Sequence, residues 1–112
     1  MDKSAKYYAI IEHWLHEYAQ IRSVGLEDLH NHVLSDSKNG HLQLMREGWE
    51  GKDFHYNIIF HFQIKTDGKI WVLVNNTDNE LVQDFKKLGI QEEDLIPAFI
   101  PEAWRKLAGY AA

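Results

Sequence analysis

The sequence predicts an α+β fold: an N-terminal helix, a four-stranded antiparallel sheet, then two C-terminal helices packed on that sheet. Three observations carry this. Apolar residues recur at the helical period from about Asp2 to Arg22. The middle of the chain switches to short β-rich runs separated by turn dipeptides. A helix-start signal and both prolines follow the last of those runs. At 112 residues the chain is one domain's worth, since domains most often hold about 100–150 residues. A single domain over residues 1–112 is expected.

In the first helix Tyr7, Ile11, Trp14, Tyr18 and Ile21 step by four, three, four and three, with Ile10 and Leu15 widening the stripe. Strand runs follow at about Leu29–Ser35, His41–Trp49, Phe54–Lys65 and Lys69–Val74. Asn39-Gly40, Glu50-Gly51-Lys52-Asp53 and Asp67-Gly68 supply the turns between them. Such short connections make consecutive strands antiparallel neighbours. In the third run Ile58, Phe60, Phe62 and Ile64 are expected on one face. Thr77-Asp78-Asn79-Glu80 has capping-box spacing and predicts a helix carrying Leu81, Val82, Phe85 and Leu88, ended by Gly89 and closed by Ile90. Pro97 argues against a regular helix through 91–100, and Pro101 suits the start of a last helix through Trp104 to about Tyr110. Trp14, Ile58, Phe60, Trp71, Phe85 and Leu88 are the expected core.

Composition narrows the function classes. Residues are 45% hydrophobic and 26% charged, the balance of a globular domain. With no cysteine, disulfides, thiolate zinc sites and cysteine nucleophiles are excluded. No apolar run approaches the roughly 20 residues that span a bilayer, so a cytoplasmic domain without membrane contact is expected. Twelve Lys and Arg against 17 Asp and Glu give a net charge of −5, spread evenly over both halves. A protein that grips nucleic acid alone usually carries a basic face, and here the longest basic clusters are Lys86-Lys87 and Arg105-Lys106.

Catalytic motifs are weak. Seven histidines invite a metal reading, with His30 and His32 able to meet His41 or His61 across strands. His13-Trp14-Leu15-His16-Glu17 has the wrong order for a zincin helix. Ser4, Ser23, Ser35 and Ser37 lie in no Gly-x-Ser-x-Gly elbow, and Gly48-Trp49-Glu50-Gly51 lacks the ending of a phosphate loop. No catalytic, cofactor-binding or metal-binding residues are assigned.

The order of short motifs is more informative. His41-Leu42-Gln43-Leu44, Gly48-Trp49, His61, Gly68-Lys69-Ile70-Trp71, Thr77-Asp78, Gly89-Ile90, Asp94-Leu95-Ile96, then Phe99, Pro101 and Arg105 together resemble the XisI family, the cyanobacterial fdxN element excision controlling factors. The resemblance spans nearly the whole chain. It implies a non-enzymatic accessory protein in programmed DNA rearrangement, acting with a XisH-like partner of nuclease fold. DNA would be reached through that partner, and a homodimer is the second association expected. Two alternatives stand beside it: a DNA-binding accessory factor, and a small ligand-binding or hydrolase domain with a His-lined pocket. Exposed aromatic groups dominate interface energetics, so Phe99, Ile100, Trp104, Arg105 and Tyr110 are the candidate partner-binding residues.

Overall fold

The structure, a computed structural model, describes residues 3–21, 28–77 and 79–105. Helix α1 (Lys3–Ala19) turns Tyr7, Ile11 and Leu15 into the core, with Trp14 and Tyr18 half-buried beside them. It is shorter than the apolar period suggests. Gln20 N donates to Glu17 O and Ile21 N to Tyr18 O, three-residue closures that tighten and end the helix. Ile21 is 63% exposed and leaves the predicted stripe.

Strands β1 (Leu29–Asp36), β2 (His41–Glu50), β3 (Asp53–Ile64) and β4 (Ile70–Asn75) form the antiparallel meander that the turn signals predict. The sheet has one strand more. β5 (Leu95–Pro97) pairs parallel to β4, which makes the sheet mixed, in the order β1-β2-β3-β4-β5. Three residues carry too little period to reveal a strand, and an edge position tolerates the missing N–H of Pro97. The chain between β4 and β5 is long enough for the crossover that a parallel return needs.

That crossover carries α2 (Leu81–Lys86), a single short helix with Leu81, Val82 and Phe85 buried. It starts three residues later than the capping-box spacing predicts, and Glu80 precedes it without a side-chain cap bond. Thr77 Oγ1 instead donates to Asn75 Oδ1 at 2.6 Å and accepts from Asn79 N at 3.1 Å. Local side-chain bonds of this kind compete with helix formation. The end is as predicted: Ile90 N donates to Phe85 O and Gly89 N to Lys86 O, with Gly89 at φ 95°. The last helix is reduced, among the described residues, to the 3-10 turn Glu102–Trp104, which buries nothing.

α1 and α2 cover one face of the sheet. Leu42, Leu44, Phe60, Phe62, Ile64, Ile70 and Val72 lie buried beneath them, joined by Ile90 and Leu95. Trp14 stands edge-on to Phe60 at 5.1 Å and to Phe85 at 5.0 Å. Of the expected core, Phe60 and Phe85 are fully buried. Trp14, Ile58 and Trp71 are only half-buried, and Leu88 is 44% exposed. The strand phase explains Ile58. Leu44 faces Phe60 whereas Met45 faces Ile58, so Ile59 is an extra residue in β3. This bulge puts Ile59 beside Phe60 in the core and Ile58 on the opposite face.

Candidate interaction surfaces

The C-terminal segment is positioned by β5, and β5 is held by a buried charge. Asp94 is 1% exposed immediately before that strand. Its carboxylate accepts from Tyr7 Oη at 2.7 Å, Lys3 Nζ at 3.0 Å and Lys69 Nζ at 3.3 Å. Tyr7 Oη in turn accepts from Gln91 N. Burial pushes the Asp94 carboxyl up, but the hydrogen bonds from Tyr7, Lys3 and Lys69 outweigh it and hold the group below its ordinary value. The start of α1, the entry to β4 and the approach to β5 are thereby tied at one point.

Beyond that anchor, Ala98 N donates to Val72 O and the chain leaves the sheet. Phe99 is 52% and Trp104 59% exposed; Ile100 and Arg105 are half-buried. Arg105 Nε donates to Ile100 O at 3.2 Å, which braces the segment. Four of the five candidate partner-binding residues therefore lie on one short stretch, two of them as exposed aromatic rings. Tyr110 lies outside the described residues.

Among the described residues, no element covers the face of the sheet opposite the helices. Gln43, Met45, Ile58, His61, Trp71, Val74 and Ile96 lie on it half-buried, beside the exposed Leu34. At its centre His41 Nδ1 meets His61 Nε2 at 3.0 Å, and Gln43 Nε2 meets His61 Nδ1 at 3.2 Å. Burial, then the charge of His41, lowers the His61 pKa from its ordinary value, so His61 is neutral at pH 7. His30 and His32 do not join this pair; His32 instead lies 3.3 Å from Glu47. Among the described residues no group of three or more His, Cys, Asp or Glu is placed to hold a metal ion. A groove of about 480 Å³ beside the start of α1 is lined by Ser4, Tyr8, Lys38, Asn39, Gln63 and Thr66, without a histidine.

A second aromatic group lies at the β2–β3 hairpin. Trp49, Phe54 and Tyr56 are 56%, 55% and 64% exposed, and the Trp49 and Phe54 rings approach to 5.2 Å. Sequence reasoning missed it, placing candidate interface residues only in the C-terminal segment. The signal was available: a hairpin turn at Gly51-Lys52 makes Trp49 and Phe54 direct cross-strand neighbours. The same pairing logic brings His41, Gln43 and His61 together.

A model described as "XisI protein" matches residues 1–112. The chain belongs to the XisI family. Two solved structures from Anabaena variabilis ATCC 29413 are similar to it along nearly the whole length. One is a XisI-like protein, 29% identical, with a TM-score of 0.81 over 97% of this chain and 98% of that one. The other is the fdxN element excision controlling factor XisI, 27% identical, with a TM-score of 0.77 over 98% of each chain. None of the curated proteins compared with it matches. Five of the residues that carry the XisI resemblance meet in two clusters here: His41, Gln43 and His61 on the open face, and Lys69 with Asp94 at the anchor of β5. Among the described residues, no helix is long and apolar enough to cross a membrane.

Proposed function

We propose that this XisI-family chain is a non-enzymatic accessory protein that controls excision of a DNA element together with a XisH-like partner. The observation that carries this is its likeness, along nearly its full length, to the fdxN element excision controlling factor XisI of Anabaena variabilis. The exposed Phe99 and Trp104 rings, braced by the Arg105 contact, offer the aromatic anchors on which a partner would dock. A net charge of −5 suits a partner with a basic DNA-binding face, and is poorly suited to gripping DNA alone. The non-enzymatic reading draws on the histidine pair, whose ring nitrogens His41 Nδ1 and His61 Nε2 are engaged with each other.

Co-expression with the XisH-like protein, followed by affinity purification on that partner, tests the association. The two chains should co-purify, and Trp104→Ala should weaken recovery while the melting temperature barely moves. Loss of stability with recovery intact would place Trp104 in the core and overturn the docking assignment. The purified chain alone should neither cut nor join DNA, with or without divalent metal. Cleavage abolished by His61→Ala would overturn the non-enzymatic reading.

A further inference from the structure

β3 is twice as long as β4, the neighbour on one of its sides. β4 pairs only with Phe60–Ile64, and just beyond it Asn76 N donates to Ile59 O and Asn76 Nδ2 to Ile58 O. From Asp53 to Asn57 no described strand flanks β3 on that side. An open strand edge is a template for another strand, and proteins ordinarily blunt such edges with charge, proline or a covering loop. Asp53 at the turn is the one carboxylate of this stretch, and beyond it the edge displays two exposed aromatic rings, Phe54 and Tyr56.

The hairpin settles which backbone groups point outward. Glu50 and Asp53 close a two-residue turn in which Gly51 has φ 61°, so they form a hydrogen-bonded pair. Pairs alternate from there: His55 and Asn57 bond to β2, whereas Phe54 and Tyr56 direct N–H and C=O to the open side. Ile58 would be next, but Asn76 already occupies its carbonyl. The free edge is short, centred on His55, and its two outward residues are both aromatic.

We propose that this edge joins a second copy of the chain, β3 against β3 in antiparallel register about a two-fold axis at His55. Phe54 then faces Tyr56 of the other copy, and Tyr56 faces Phe54, each as a hydrogen-bonded pair. All outward groups of the stretch are thereby satisfied. Asp53 faces Asn57, so no carboxylate meets a carboxylate. The Gly51-Lys52 turn of each copy comes level with Ile58 of the other and stops short of Asn76. The cross-strand aromatic pairs, extended by Trp49 behind each Phe54, form one continuous band across the axis. The register is isologous, as a two-fold dimer requires. The free edge of β1 offers no such match: its open-face row is His30, His32, Leu34 and Asp36.

Sedimentation equilibrium across the micromolar range, on the purified full chain, should give twice the 13.2 kDa chain mass. Tyr56→Pro removes an outward N–H without touching a bond to β2, and Phe54→Lys opposes the aromatic pairing; each should return the monomer. The chain has no cysteine, so His55→Cys can form only an intermolecular disulfide. Facing residues on paired strands lie within disulfide reach, so this variant should oxidise to a covalent dimer far faster than a Lys38→Cys control. A wild-type monomer throughout the range would overturn the proposal. So would a dimer that survives both variants while His55→Cys cross-links no faster than the control. Wild-type monomers that dock this edge only onto the XisH-like chain would reassign it to that partner.

Discussion

Asp94 is the one buried charge among the described residues, and its three ligands come from two distant stretches: Lys3 and Tyr7 from α1, and Lys69 from the residue just before β4. Because the folded carboxyl titrates below its ordinary value, the contribution is fully present above the unfolded value of about 3.9. It is lost as pH falls through the folded value. Asp94→Asn should therefore lower the urea midpoint at pH 7, and the gap from wild type should narrow as pH falls below about 4. A gap independent of pH would deny the carboxylate this role. Tyr7→Phe, which orphans one bond each at Asp94 and Gln91 N, should cost about 1–3 kcal/mol. Sequence alone showed an acidic residue after two others, Glu92-Glu93-Asp94, with nothing to mark the third as the buried one. Its partners lie as many as 91 positions away.

At the scale of elements, what the sequence made legible is what local periodicity encodes. α1, the four-strand meander and the Gly89 helix end were readable because each depends on spacing within a few residues. The bulge at Ile59 was not, since one extra residue changes no local propensity and yet shifts Ile58 to the open face. β5 was missed for the same reason in reverse: a three-residue strand exists only through its neighbour. Leu88 fits the helical stripe, but α2 ends at Lys86 and leaves it 44% exposed. Phe85→Ala should therefore cost roughly 3–5 kcal/mol in chemical unfolding, and Leu88→Ala no more than about 0.5 kcal/mol. Equal costs would mean that α2 extends a further turn in solution.

For the whole molecule, the helices seal one face of the sheet, and no other described element covers the opposite face, the hairpin or the C-terminal segment. Among the described residues, exposed aromatic rings collect in two places, Trp49, Phe54 and Tyr56 on the hairpin and Phe99 and Trp104 after β5. Such grouping is characteristic of surfaces that bind proteins. The C-terminal group was legible because two prolines break the helical period there and leave aromatic residues without an element to bury them. The hairpin group was not, because a tryptophan on a strand reads as core until the covered face is known. A chain of net charge −5 that belongs to the XisI family and displays these surfaces suits the proposed role of an accessory to a protein partner. Pull-down of this chain on the XisH-like protein, wild type against Trp104→Ala, tests that most directly. Stoichiometric recovery of wild type, reduced for the variant at unchanged melting temperature, is the outcome expected; no recovery of the folded wild-type chain would contradict it.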